Sequence, residues 1–277
     1  MAEEETVEVV EEIATGPQYP ELAPYVEKPV PGRFDGMTTI VTGAGSGIGR
    51  ATAVRIGKEG GRVIAADYAQ EGLDSLVAEY PDLDIVPVRA DITKHDDVER
   101  IVDACDGECQ ALANVAGIMD KFCPIGEVSD ELWDRVFEVN VGGTMKMTKA
   151  VLPLMLEEGG GTIVNVASLA GITGAAAGAA YTASKWAVVG MTKNTAHMYA
   201  PYHIRVNAIA PGGVRTNIGV EFGSELALHR LAPRMQVAGA RTAEPEELAA
   251  AIAFLLSPDS PNITGAVLTS DGGYSAA

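Results

Sequence analysis

Tyr181 and Lys185 stand four residues apart in Tyr181-Thr182-Ala183-Ser184-Lys185, downstream of Ser168 and far downstream of a glycine-rich loop, Gly43 to Gly49. On a helix, positions i and i+4 share a face, with β-carbons about 5–6 Å apart. An ammonium held beside a phenol favours the phenolate and pulls tyrosine below its free pKa of about 10. That tunes a weak acid for proton transfer near neutral pH. The pair predicts a Tyr181 of lowered pKa. The same spacing also occurs on solvated helix faces that do no chemistry, so its meaning depends on the rest of the chain.

Thr42-Gly43-Ala44-Gly45-Ser46-Gly47-Ile48-Gly49 follows a β-rich run and opens a helical one. Glycines there permit a tight turn and a close approach of backbone to a pyrophosphate, while the helix N-terminus offers unpaired N–H groups to the anion. A glycine-rich octet alone also describes a flexible loop; between a strand and a helix it points to dinucleotide binding. Asp67 ends the next strand-like run, 24 residues after Gly43. A carboxylate at that separation accepts hydrogen bonds from adenosine ribose hydroxyls and repels a 2′-phosphate. Neither Ala44 and Ser46 in the loop nor Tyr68 after the aspartate supplies a cation for that phosphate, and Arg50 falls inside the helix. The pattern favours NAD over NADP; a cap for the following helix is the other use of Asp67.

These residues need a frame to hold them. Strand-like runs fall at residues 38–42, 62–67, 83–88, 111–114, 161–167, 204–209 and 266–269. Helical runs fall at 47–58, 70–80, 94–105, 130–158 with an interruption at Gly142-Gly143, 181–199 and 244–256. After Pro211 the pattern loosens through Gly223, and an ambiguous helical patch runs to Val237. Repeated βα units of this length imply a parallel sheet with helices on both faces, and right-handed crossovers make it doubly wound. The expected architecture is α/β: one Rossmann-type domain over residues 33–277, with a mainly parallel seven-stranded sheet in the order 3-2-1-4-5-6-7.

Residues 1–32 differ in kind, with eight glutamates against one lysine and five prolines between Pro17 and Pro31. Such density of proline favours extended chain. The segment reads either as a disordered acidic tail or, through Tyr19, Leu22 and Tyr25, as a strap across the domain or a neighbouring subunit. The net charge of −18 disfavours nucleic acid and anionic membrane surfaces as partners. Cys105, Cys109 and Cys123 form neither a disulfide framework nor a zinc signature, and no metal site is expected. Reduced thiols, an acidic N-terminus and no apolar run longer than residues 248–256 place the chain in the cytoplasm.

From about Arg33 to Tyr274 the chain resembles the classical short-chain dehydrogenase/reductases. The family's glycine pattern falls on Thr42 to Gly49, and its strand-end motif on Asn114-Val115-Ala116-Gly117, with Val115 where many relatives carry a second asparagine. Its helical asparagine falls on Asn140, its serine on Ser168, its tyrosine and lysine on Tyr181 and Lys185. Pro211 to Thr216 and Asp271-Gly272-Gly273 match two further segments. The resemblance implies an NAD-dependent oxidoreductase acting between secondary alcohols and ketones. Tyr181 is then general acid or base, Lys185 the ribose ligand that depresses its pKa, Ser168 the donor to the substrate oxygen, and Asn140 the holder of a proton-relay water. Gly43, Ser46, Gly47, Ile48 and Gly49 would cradle the phosphates. Asp91 and Ile92 would flank the adenine, Asn114 and Gly117 its ribose; Ile48 and Val214 backbone and the Thr216 hydroxyl would orient the nicotinamide. Asp91 also reads as a helix cap before Thr93. A homotetramer is the family's implied assembly.

Substrate choice is expected to rest on residues 170–177 and 217–237, small or greasy stretches that favour an uncharged, mostly apolar, cyclic or terpenoid alcohol or ketone. Two other functions fit the same motifs: a 3-oxoacyl-thioester reductase, which the acidic charge and lack of a 2′-phosphate arginine disfavour, and a non-catalytic NAD sensor.

Overall fold

The computed structural model describes residues 23–216, 222–237 and 241–276. Every residue of β1 (Thr38–Thr42) is buried, as a central strand covered on both faces must be. It pairs in parallel with β2 (Arg62–Asp67) and β4 (Ala111–Asn114), so Ile40 lies between Ile64 and Leu112. With β3 (Ile85–Arg89), β5 (Gly161–Val166), β6 (Ile204–Pro211) and β7 (Val267–Ser270), seven parallel strands form one sheet in the order β3-β2-β1-β4-β5-β6-β7. The expected topology is the one observed.

Strand side chains alternate between two core layers. Val41, Ala65, Ala113 and Val164 face α1 (Gly47–Lys58), α2 (Gln70–Glu79) and α8 (Pro245–Leu256). Ile40, Ile64, Leu112 and Ile163 face the other way, against α3 (His95–Asp103) and α5 (Thr144–Glu157). Before α5, α4 (Asp130–Phe137) passes into a π-helical turn, Glu138–Gly143, where the sequence had shown only a glycine interruption. Glycine is required at its end, since a β-carbon at Gly143 would lie 2.4 Å from Ile92. Helix α6 (Ala179–Tyr199) precedes β6, and the ambiguous patch is α7 (Glu225–Val237).

The described part of the acidic extension lies on the end of α1. Lys28 O accepts from Arg55 Nη2 (2.7 Å), Val30 N–H donates to the buried Glu59 (2.9 Å), and Glu27 pairs with Lys58 (2.6 Å). Tyr19 and Leu22 lie outside the described residues. Among the described residues no helix is long and apolar enough to cross a membrane.

Candidate active site

Helices leave β1 and β4 towards opposite faces of the sheet, so the loops at the strands' C-terminal ends part. A cavity of about 670 Å³ opens there. The glycine loop forms one wall through Gly43, Ser46, Gly47, Ile48 and Gly49. Gly43 has φ +70°, and a β-carbon on Gly49 would sit 2.0 Å from Gly43 O, so any side chain there would burst the turn. Ser46 stands at the N-cap of α1 without capping it, and the helix has no acidic residue in its first turn. Such an uncapped N-terminus on a cavity wall suits a pyrophosphate.

Asp67 also lines the cavity; its Oδ2 accepts from Gly45 N–H and its Oδ1 from Ala69 N–H, each at 2.8 Å. Each oxygen keeps a second lone pair for a ribose hydroxyl. Asp91 and Ile92 line the same end. Burial opposes the Asp91 charge, but the N–H and hydroxyl of Thr93, 2.9 and 2.8 Å away, outweigh it and hold the pKa below the usual value. The helix cap also considered for Asp91 does not form, since Lys94 holds the N-cap of α3 without a side-chain cap and Asp91 closes a local turn on Thr93 instead. Arg135, not picked out from the sequence, reaches this wall too, with its guanidinium on Glu138 at 2.9 Å.

Gly117, Ser168, Tyr181 and Lys185 converge across the cavity from Val214 and Thr216. Gly117 leaves room for Lys185: a β-carbon there would stand 3.4 Å from Nζ. Lys185 is 3% exposed, donates to Val166 O (2.8 Å), and lies 5.3 Å from the centroid of the Tyr181 ring. The expected lowering of the Tyr181 pKa is overturned. Burial pushes the phenol up to about 12, and the nearby Asp120 charge adds to that, against a lowering by its hydrogen bond with Ser168. Burial likewise pulls Lys185 down to about 8. Desolvation dominates both groups, and the ammonium is turned to the neutral Val166 carbonyl.

Asn140 and Asn114 stand behind the cavity wall. The Asn140 amide grips Ile118, accepting from its N–H (2.8 Å) and donating to its carbonyl (3.0 Å), and donates to Ser184 Oγ (3.1 Å). It locks the π-turn to α6. Asn114, expected at a ribose, ends β4, with its side-chain nitrogen donating to Asn165 (2.9 Å) and Thr148 (3.2 Å) beneath the strand ends. In parallel strands a side chain from the last residue of β4 points into a layer, not along the strand axis towards a ligand.

The substrate-side wall is only partly where the sequence placed it. Ala176 and Met235 line the cavity, Leu226 and Leu228 are exposed, and Ile218 and Val220 lie outside the described residues. Met119, Phe122, Leu169 and Tyr274 complete the lining and were missed. Phe122 owes its place to a positive φ of 57°, which no residue type at that position signals.

The sequence profile of the family described as short chain dehydrogenase matches residues 37–227. The chain is 44% identical over 250 residues to 3β-hydroxysteroid dehydrogenase 2 of Eggerthella lenta, covering 87% of this chain and 95% of the relative. A crystal structure of levodione reductase superposes with a TM-score of 0.81 at 36% identity, over 88% of this chain and 99% of the other. The 3-ketoacyl-(acyl-carrier-protein) reductase of Brucella melitensis, crystallised with NADH, gives 0.80 at 35%, over 87% and 99%. With its glycine cradle at one end of the cavity and Ser168, Tyr181 and Lys185 at the other, the chain belongs to the short chain dehydrogenases, oxidoreductases that move a hydride between a nicotinamide cofactor and an alcohol or ketone.

Proposed function

We propose that the chain is an NAD(H)-dependent dehydrogenase for bulky, uncharged, ring-bearing secondary alcohols and ketones of the hydroxysteroid kind. The observation that carries this reading is the convergence of Ser168, Tyr181 and Lys185 on a cavity whose near wall is apolar and whose far end holds Asp67. Bound nicotinamide supplies or takes the hydride. Tyr181 gives its proton to the carbonyl oxygen in reduction and removes it from the alcohol in oxidation. Ser168 donates a hydrogen bond to that oxygen, where charge develops. Lys185 binds the ribose hydroxyls. Asn140, by fixing the Ile118 backbone and Ser184, keeps the path beside Lys185 in shape for proton resupply.

Met119, Phe122, Leu169 and Met235 offer apolar contact, beside the Tyr274 phenol and the reacting pair. A fused ring system buries well there, and the 44% relative acts on a hydroxysteroid by its name. Oxidation of 3-hydroxysteroids with NAD, followed by absorbance of NADH, is expected to exceed that of short open-chain alcohols in kcat/KM. The competing reading, a 3-oxoacyl-thioester reductase, draws on the likeness to the Brucella enzyme. A net charge of −18 works against an acidic carrier protein. Faster turnover of 3-oxoacyl thioesters than of steroids would reverse the order.

Asp67 makes the cofactor NAD in this reading, since its carboxylate repels a 2′-phosphate and still has lone pairs for ribose hydroxyls. NAD is expected to bind about tenfold more tightly than NADP, roughly 1.4 kcal/mol, and Asp67→Ala to narrow that gap. Calorimetric titration of both cofactors decides it; equal affinities in the unmodified protein would contradict the assignment. A cytoplasmic homotetramer belongs to the same proposal. The exposed Met145, Trp186 and Met198 on α5 and α6 support the assembly, and three free cysteines a reducing compartment.

A further inference from the structure

The turn after β4 carries a carboxylate that hydride transfer does not use. Asp120 is fully buried. Its Oδ2 accepts from the Tyr181 N–H at 2.8 Å and its Oδ1 from the Phe122 N–H at 3.1 Å. Burying a carboxylate is costly unless N–H groups satisfy it, and the first turn of a helix has such groups to spare. Helix α6 begins at Gly178 with no side-chain cap and no acidic residue in its first turn, so Asp120 supplies from another loop what the helix lacks. A β-carbon on Gly178 would lie 2.5 Å from Asp120 Oδ2; only glycine leaves the carboxylate its place.

The same turn meets three other parts of the site. Lys121 and Phe122 both hold left-handed backbone, with φ of 54° and 57°, a conformation that persists in non-glycine residues only when surroundings enforce it. Cys123 O accepts from Ala179 N–H (2.9 Å), a second tie to α6, and Lys121 O accepts from Gly223 N–H (2.8 Å). The Phe122 ring lines the cavity and stacks on Phe222 at 4.5 Å.

We propose that Asp120 is a positioning residue, which holds the Tyr181 backbone and the Phe122 turn in one register so that the phenol and the substrate-facing wall stay fixed relative to each other. The proposal rests on Tyr181 being the acid and base. The groups acting on that phenol are Ser168 from the turn after β5, Lys185 one helical turn on, and Asp120 itself. The Cys123 thiol is kept neutral by burial, and the α7 residues packed there, Leu231 and Met235, carry no charge. Removing the Asp120 charge therefore makes the phenolate easier to form.

Asp120→Asn tests this, since the amide keeps one acceptor and turns a donor towards a backbone N–H. Turnover in alcohol oxidation is expected to fall roughly tenfold or more, as for other small displacements of a reacting group, with NADH affinity unchanged. The acidic limb of the kcat/KM profile should move to lower pH. A residue that merely supported the fold would lower the melting temperature and leave that limb in place. That result, or unmodified turnover, overturns the proposal. Should Asp120→Asn fail to fold, hydrogen exchange of the unmodified enzyme decides. The Tyr181 amide is expected to exchange as slowly as the middle of α6, and fast exchange typical of a free first turn counts against Asp120. Tyr181→Phe run alongside separates the two readings: an active Tyr181→Phe removes the acid itself, whereas an inactive one with normal Asp120→Asn removes only the positioning role.

Discussion

Tyr181→Phe is expected to lower turnover roughly 10³-fold in both directions, the middle of the range for losing a positioned general acid or base. Affinity for NADH should survive, because the glycine loop and Asp67 lie at the other end of the cavity and are untouched. The pH dependence carries a sign. Oxidation needs the phenolate and falls as pH drops below the working pKa; reduction needs the phenol and falls as pH rises above it. Burial holds that pKa at about 12, too high for efficient oxidation near neutrality, so the proposed function predicts that bound nicotinamide and the Lys185 charge bring it down during turnover. Steady-state rates against pH, with a fluorescence titration of NADH, provide the check. A phenylalanine variant that keeps more than about a tenth of the activity sinks the assignment, since a positioned acid contributes on the order of 10²-fold at least.

What could be read from the residues was local backbone. The demand for glycine at Gly49 arises inside one turn, where a β-carbon would strike the Gly43 carbonyl six residues away, and at Gly43 in the left-handed φ of 70° that the same turn imposes. Strand order followed from repeated βα units, because right-handed crossovers leave few alternatives. The misses are contacts between loop tips. Asp120 and Tyr181 are 61 residues apart and meet only because a left-handed pair at Lys121-Phe122 folds the turn back. The Tyr181 pKa went the wrong way for a related reason. Spacing along a helix places an ammonium near a phenol, but it says nothing of desolvation or of Val166 O, which claims the ammonium first.

That buried ammonium makes the second large effect a gain. Lys185→Met should abolish useful turnover and raise the stability of the cofactor-free protein. The drop from the ordinary 10.5 to about 8 corresponds to roughly 3 kcal/mol of destabilisation wherever the folded lysine is charged. Methionine fills the same volume without that charge, though Val166 O then loses its donor at a cost of about 1–2 kcal/mol. The net gain of about 1–2 kcal/mol corresponds to a rise in melting temperature of roughly 2–8 °C for a chain of this size. The contribution of Lys185 to stability should also rise with pH from about 8 towards 10.5, where the unfolded lysine still holds a proton that the folded one has lost. Tyr181 acts in the opposite sense only above pH 10, where the unfolded phenol ionises before the folded one. The buried Cys109 and Cys123 thiols, both held above their ordinary value, act against the Lys185 contribution between pH 8 and 10, so the part of the slope that belongs to Lys185 is the part that Lys185→Met removes. Chemical denaturation at several pH values in that window measures both quantities. A methionine variant less stable than its parent at pH 7, with the slope unchanged, would show that the ammonium is not the strained group of this fold and that its depressed pKa has no hold on stability.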